Sequence, residues 1–332
     1  MTTTTTVGTP EWLESIQRGD RRALAKAITL IESNRPQDSA VVRALWPLLL
    51  PYRGTALRVA ISGPPGVGKS SLIEQIGLQA VARKMRTAVL AVDPSSPVSG
   101  GSILGDKTRM PHLSSHAMAF VRPTPAGSTL GGVARSTRET MLLLDAALFD
   151  LLLVETVGVG QSETEVAGMV DLFVLVLQPH SGDELQGIKR GIMEMADIIL
   201  INKADGDMVQ AAEMTCHQVH SALSLRAQPA ADWQPCTRMV SAVSGQGMAA
   251  ALDLFTSFRD TLSASGALQR KRLTQASNWM WQRLREGLMA RFMSDPTIQR
   301  LLSELEPLVC AGSLDSVEAA DRLLAAFYPK GK

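Results

Sequence analysis

The sequence predicts a doubly wound α/β domain on a mostly parallel sheet, with a helical extension before it and a helical arm after it. Short, continuously apolar runs recur between residues 58 and 243, longer helical stretches separate them, and after Gly266 only helical periodicity continues. Continuous rather than alternating hydrophobicity marks strands covered on both faces, the condition of a parallel sheet between two helical layers. With 332 residues, 45% of them hydrophobic and 20% charged, the chain is long and apolar enough to bury such a core.

Thr9-Pro10 reads as an N-cap and first helical position. A helix through Trp12 and Ile16 ends at Gly19, and Asp20 caps a second, in which Leu24, Ile28 and Ile31 share one face. Asn34-Arg35-Pro36 ends that helix and a third stretch runs toward Leu50, so residues 1–50 are expected to form the N-terminal extension. Residues 51–265 form the sheet domain. Its expected strands are Arg58–Ser62, Thr87–Val92, Ala117–Val121, Leu151–Glu155, Leu172–Leu177, Ile198–Ile201 and Met239–Val243. In the arm, 266–332, a stripe of Leu273, Ala276, Met280, Leu284, Leu288 and Phe292 has three- and four-residue spacing and stops near Asp295-Pro296, before two shorter helical segments. Such a stripe serves either as a cap on its own domain or as a dimerisation or partner arm.

Lys and Arg number 33 against 32 Asp and Glu, a net charge of +1 without a basic block, which disfavours general nucleic-acid or anionic-membrane binding. Cys216, Cys236 and Cys310 are far apart, without a CxxC pair, as expected for a reducing compartment rather than a disulfide framework or zinc knuckle. No apolar run approaches a membrane span, and the threonine tract from Met1 to Thr9 lacks the zones of a signal or transit peptide. A cytoplasmic protein is expected.

Gly63-Pro64-Pro65-Gly66-Val67-Gly68-Lys69-Ser70 fits GxxxxGK[ST], between an apolar strand and a helix starting near Lys69. Glycines let successive N–H groups turn inward onto phosphate oxygens, and the helix N-terminus adds partial positive charge. Gly63, Gly66, Val67, Gly68, Lys69, Ser70 and Ser71 are therefore the expected phosphate-binding residues. Lys69 is expected at the β/γ-phosphates and the Ser70 hydroxyl on Mg²⁺.

Asn202-Lys203-Ala204-Asp205 ends an apolar run at the sheet's C-terminal edge. An Asp205 carboxylate accepts hydrogen bonds from the N1–H and exocyclic amine of guanine, whereas adenine would oppose it with a lone pair; a buried mismatch of this kind discriminates by about 10⁴-fold. Lys203 is expected along the base plane, with Asn202 bracing the loop. Ser241-Ala242-Val243-Ser244-Gly245 is read as ending the last strand, with backbone N–H groups toward the guanine carbonyl. GTP or GDP is the expected nucleotide rather than ATP.

Asp93 closes the second strand, Asp106 lies in a Gly-rich loop, and Glu155 ends the fourth strand. With Ser70, these carboxylates are the expected Mg²⁺ ligands, since Mg²⁺ takes oxygen donors and keeps several waters. Gly158 stands where its N–H can sense a γ-phosphate. A Ras-like enzyme carries Asp in place of Glu155 and a water-positioning Gln beside the glycine; here Val159 stands there, so unaided hydrolysis is expected to be slow, with activation from a partner or second subunit. Lys69, Asp106, Glu155 and Lys107 are the catalytic candidates. Lys107, or one of Arg109, Arg122, Arg135 and Arg138, would neutralise transition-state charge.

Together these motifs closely resemble the MeaB/ArgK/MMAA G-protein chaperones of adenosylcobalamin-dependent acyl-CoA mutases. The likeness spans nearly the whole chain and is most specific in Asp93–Pro97, Gly100–Met110, Thr129–Thr137, Glu155–Glu163 and Gly182–Lys189. The resemblance implies a homodimer of P-loop GTPases with a C-terminal dimerisation arm, and a client that is methylmalonyl-CoA mutase or a related acyl-CoA mutase. It also implies that Gln178–Lys189 acts as an additional switch toward that client. There Asp183, Glu184, Gln186 and Lys189 match, while Pro179-His180 depart from the small residues expected. The implied role is to permit adenosylcobalamin transfer into the mutase and to prevent or rescue its inactivation.

Three other functions fit parts of the sequence less fully. A kinase for amino-acid-binding transport proteins needs an acceptor site, and no dedicated one is evident. A metallochaperone GTPase of nickel-enzyme maturation would use His or Cys clusters; Cys216, His217 and His220 on one helix are better explained as a polar face, and His112, His116 and His180 form no clearer set. The third is a nucleotide-switched scaffold without appreciable turnover.

Overall fold

The computed structural model describes residues 7–33, 35–52, 54–93, 110–125, 130–156, 161–179, 190–224 and 232–328. The chain forms two compact units, residues 1–269 and 270–332.

Three helices open the first unit: α1 (Pro10–Gln17), α2 (Arg21–Glu32) and α3 (Pro36–Leu49). The Thr9 hydroxyl accepts from the Trp12 N–H at 3.3 Å, and the Asp20 carboxylate accepts from the N–H groups of Arg22 and Ala23 at 3.0 Å. These caps fill donors that a helix start leaves open. Trp12, Ile16, Leu24, Ile28, Ile31 and Leu45 are buried in one apolar core with sheet residues. The extension is thus packed into the first unit.

The sheet follows as β1 (Leu57–Ser62), α4 (Lys69–Ala82), β2 (Thr87–Asp93), α5 (Pro111–Ser115), β3 (Ala119–Pro125), α6 (Leu130–Ala146), β4 (Leu151–Glu155), α7 (Gln161–Ala167), β5 (Leu172–Leu177), α8 (Arg190–Met195), β6 (Ile198–Ile201), α9 (Val209–Ser224), β7 (Cys236–Met239) and α10 (Met248–Ala264). The seven strands are parallel, in the order β3-β2-β4-β1-β5-β6-β7. Successive residues feed opposite cores, as strand geometry demands. Leu172, Val174 and Val176 join the core that contains α4 and α10, while Phe173, Leu175 and Leu177 join the core that contains α1, α2 and α6. Both faces are covered, which is why these runs are apolar at every position.

Buried charges fix the strand entries. The Asp145 carboxylate accepts from the N–H groups of Gly54, Thr55 and Ala56, just before β1. Asp171 is fully buried and takes the Arg58 guanidinium and backbone N–H.

Two strands depart from expectation. The third lies at Ala119–Pro125 rather than 117–121, because a turn closed by the Ala119 N–H on the His116 carbonyl uses the preceding residues. It tolerates Pro123 and Pro125 because β3 is an edge strand. The last strand is Cys236–Met239, not 239–243. The Ser241 N–H donates to the Gln246 carbonyl and the Gly245 N–H to the Ser241 carbonyl, so 241–246 form a turn after the strand. Val243, expected within a buried strand, is 86% exposed.

Helix α11 (Ala267–Ser294) runs from the end of the first unit into the second, followed by α12 (Pro296–Cys310) and α13 (Ser316–Phe327). Asp295 and Asp315 cap the last two. Phe292 and Phe327 meet edge to face at 5.1 Å between centroids, and Ile298, Leu305 and Ala319 are buried. Leu273, Met280, Leu284 and Leu288 remain exposed. No helix among the described residues is long and apolar enough to cross a membrane.

Candidate nucleotide site

The site forms at the C-terminal edge of the sheet around its central strand. There β1 runs into residues 63–68 before α4 begins at Lys69. Gly63 (φ 152°) passes so close to β5 that a Cβ would lie 2.3 Å from the Val176 carbonyl oxygen. At Gly68 (φ 90°) a Cβ would lie 2.7 Å from Asn202 Nδ2. These two glycines are required by contact as well as by backbone conformation.

Lys69 Nζ donates to the carbonyl oxygens of Gly63 at 2.7 Å and Pro64 at 3.0 Å, holding the ammonium over its own loop. Burial pulls its pKa below the usual lysine value, opposed by the negative charges of Glu155 and Glu163. Ser70 Oγ donates to Glu155 Oε1 at 2.7 Å. Glu155 is the last residue of β4, in register with Ile61 of β1, which brings it beside the loop. Two oxygen donors in contact at the phosphate loop suit a small hard cation. Asp93 ends β2, whose Ala91 is in register with Glu155, so its backbone reaches the same sheet edge. Ser71, also expected at the phosphates, is exposed on the first turn of α4.

Two side chains not singled out from sequence complete this part. Ser62 Oγ donates to Glu163 Oε1 at 2.9 Å, with both residues buried. Glu163 lies in the first turn of α7 and ties that helix to the residue preceding the phosphate loop. An acidic residue eight positions after Glu155 was the available signal, but a helix start alone explains it equally well.

The base loop leaves β6, two strands from β1. Buried Asn202 donates from Nδ2 to the Val67 carbonyl at 2.8 Å and accepts at Oδ1 from the Ala242 N–H at 3.0 Å. One side chain thus joins the phosphate loop, the base loop and the turn after β7. Lys203 has φ 62° and donates from Nζ to Gln178 Oε1 at 2.9 Å. Asp205 is half-buried, and its side chain does not cap the 3₁₀ turn that follows. Ser241 is buried with its Oγ accepting from the Ser244 N–H, which shapes the turn carrying Ala242 and Val243.

Asp106, Lys107, Arg109, Gly158, Val159 and residues 180–189 lie outside the described residues, as does all of the expected Gly-rich metal loop, residues 100–107. Arg122, expected near the phosphates, is instead engaged with α2, donating to Glu32 and the Thr29 hydroxyl. Arg135 pairs with Glu139 one turn along α6 at 3.2 Å. Cys216, His217 and His220 lie on α9, and no group of three or more metal-capable side chains gathers among the described residues.

A parallel sheet with a phosphate loop after its central strand and an Asn-Lys-x-Asp loop braced against it defines a P-loop GTPase. Residues 24–297 match the family described as Methylmalonyl Co-A mutase-associated GTPase MeaB, and the chain belongs to that family. A Mycobacterium tuberculosis protein bearing the name Probable GTPase is 48% identical over 310 residues, covering 93% of this chain and 92% of its own. A Mus musculus protein named Methylmalonic aciduria type A homolog, mitochondrial, is 44% identical over 320 residues, 93% of this chain and 77% of that one. Among solved structures, one titled as a LAO/AO transport system kinase superposes with a TM-score of 0.74 at 33% identity, covering 96% of this chain and 97% of that one. The chain is a GTPase.

Proposed function

We propose that this GTPase is a chaperone that gates adenosylcobalamin loading into methylmalonyl-CoA mutase, or a related acyl-CoA mutase, and protects or reactivates that enzyme. The observation that carries this reading is the family match over 24–297, whose description ties the family to that mutase. The site supports it by holding the groups of a nucleotide switch together: Asn202 locks phosphate and base loops to each other, while Glu155 ends the strand that leads into residues 157–160.

In this reading residues 63–71 cradle the phosphates, with Lys69 released from its carbonyls to the β/γ-phosphates. Gly158 senses the γ-phosphate. Asp205 reads the guanine edge, Lys203 lies along the base, and Ser241, Ala242 and Val243 line its carbonyl side. Ser70 and Glu155, with Asp93 and Asp106, would hold Mg²⁺, which when bound neutralises phosphate charge. Lys107 is the candidate for stabilising charge that builds during hydrolysis. Turnover is slow alone and rises with the client, which meets residues 178–189. Residues 1–50, 51–265 and 266–332 serve as extension, GTPase domain and arm of a cytoplasmic homodimer, with the exposed α11 stripe as the dimer contact.

The test is GTP hydrolysis by the purified protein, alone and titrated with an adenosylcobalamin-dependent acyl-CoA mutase from the same organism. Low basal turnover that rises and saturates with the mutase is expected. A flat response to methylmalonyl-CoA mutase and its acyl-CoA relatives would remove the client assignment and leave the GTPase.

A further inference from the structure

We propose that Gln178 is a positioning residue of the guanine site, acting by fixing the ammonium of Lys203. This rests on the reading of Lys203 as the residue lying along the base. Lys203 holds a left-handed backbone conformation (φ 62°) that a residue with a Cβ adopts only when its surroundings enforce it. The enforcement is visible on both sides. The preceding N–H, of Asn202, donates to the Leu177 carbonyl at 2.8 Å, and the following one, of Ala204, donates to the Val240 carbonyl at 3.1 Å. The Lys203 stem therefore leaves the loop in a direction set by β5 and the end of β7.

At the far end of that stem Nζ donates to Gln178 Oε1 at 2.9 Å. The acceptor is fixed as firmly as the donor. Gln178 is half-buried directly after β5, and the next residue, Pro179, is buried with its φ locked by the ring. A lysine has four rotatable side-chain bonds, and ordering them on nucleotide binding opposes affinity. Tying the ammonium before the base arrives removes part of that cost. Because the acceptor is an amide and not a carboxylate, the positive charge survives beside the nucleotide. Gln178 is also the first residue of the segment proposed to meet the client, so base occupancy and the start of that segment share one hydrogen bond.

The experiment compares GDP and inorganic tripolyphosphate affinities of the full-length wild type, Gln178→Ala, Gln178→Glu, Lys203→Ala and the double alanine variant, by calorimetry. Tripolyphosphate fills the phosphate loop but carries no base. Gln178→Ala should weaken GDP about tenfold, the size expected for one hydrogen bond to a charged group. Its tripolyphosphate affinity should not change. Gln178→Glu should recover only part of the GDP affinity, because its carboxylate holds the ammonium but offsets the positive charge beside the nucleotide, and the double variant should bind GDP no more weakly than Lys203→Ala. Equal loss of both ligands, or additive losses in the double variant, would overturn the proposal. So would undiminished GDP affinity in Gln178→Ala when Lys203→Ala is weakened, an outcome that spares the base reading. If Lys203→Ala also binds GDP normally, the base reading and the proposal fall together, while the client assignment stays with the hydrolysis titration.

Discussion

Asn202 Nδ2 donates to the carbonyl oxygen of Val67 across 135 positions of sequence, at 2.8 Å. The same side chain accepts from the Ala242 N–H, so no other residue type of its size serves both contacts. Asn202→Ala should leave a buried carbonyl and a buried N–H unpaired and cost about 1–3 kcal/mol of stability. Asn202→Asp should cost at least as much, because it sets an acceptor against the Val67 carbonyl. Thermal unfolding of the nucleotide-free proteins measures both, and an unchanged melting temperature would mean water replaces the side chain without loss.

The Ser70–Glu155 hydrogen bond leads to a prediction about metal dependence. Ser70→Ala should reduce the gain in GTP affinity that Mg²⁺ provides over EDTA. Glu155→Gln should lower hydrolysis on the order of a hundredfold, the scale seen when one charge-stabilising group is lost. Titrations of a non-hydrolysable GTP analogue with Mg²⁺ and with EDTA, beside single-turnover hydrolysis of GTP, separate the two effects.

Asp205 is half-buried, and its carboxylate does not cap the turn that follows it. Replacing it by Asn should turn selectivity from GTP toward xanthosine triphosphate by at least about a hundredfold, since the hydrogen-bond pattern at the purine edge is reversed. Competition between the two nucleotides for one site is the direct measurement. Retained GTP preference would require another residue to read the base.

Leu284 and Met280, on the stripe of α11, are 47% and 57% exposed. In the proposed homodimer, these side chains at regular helical spacing supply the contact between the arms. Met280→Glu with Leu284→Glu should convert a dimeric mass to a monomeric one in light scattering, with helical content kept. A dimer that survives both changes would have its interface elsewhere.

The three free thiols should differ in reactivity. Cys310 is exposed, whereas burial raises the Cys236 pKa, with Arg238 opposing the shift. The attacking species is the thiolate, so Cys236 should alkylate more slowly than Cys310 at pH 8 and its rate should keep climbing at higher pH. A thiol whose pKa is raised by folding also binds its proton more tightly in the native state, so its contribution to stability is full below the usual thiol pKa and declines as pH rises above it. Mass-resolved labelling across pH tests the order of reaction.

The sheet was legible because parallel strands covered on both faces are apolar throughout, and the runs at 151–155, 172–177 and 198–201 coincide with β4, β5 and β6. The last strand was displaced because Ser241-Ala242-Val243 is apolar enough to continue a strand, while the turn that consumes it depends on hydrogen bonds to Gln246 and on Gly245. Local pattern could name Gly63–Ser70 and Asn202–Asp205 since each is contiguous in sequence. It could not find the Ser62–Glu163 or Gln178–Lys203 contacts, because each joins segments that only strand order brings together. Arg122 shows the reverse error: a residue type suited to phosphate is drawn off by Glu32 of a helix 90 positions earlier.

That single asparagine bridge also sets an order of assembly. The phosphate loop is synthesised by residue 70, but its brace comes at 202 and the backbone partner of that brace at 242. Until β6 and the turn after β7 have docked, the nascent chain has a phosphate loop with nothing to hold a purine against it. Long-range contacts of this kind slow folding, and a ligand that binds only the native state stabilises the finished product by mass action. Nucleotide capture thus requires the chain through residue 242, and a chain released before that point should sediment, digest and refold as though GTP were absent from the solution.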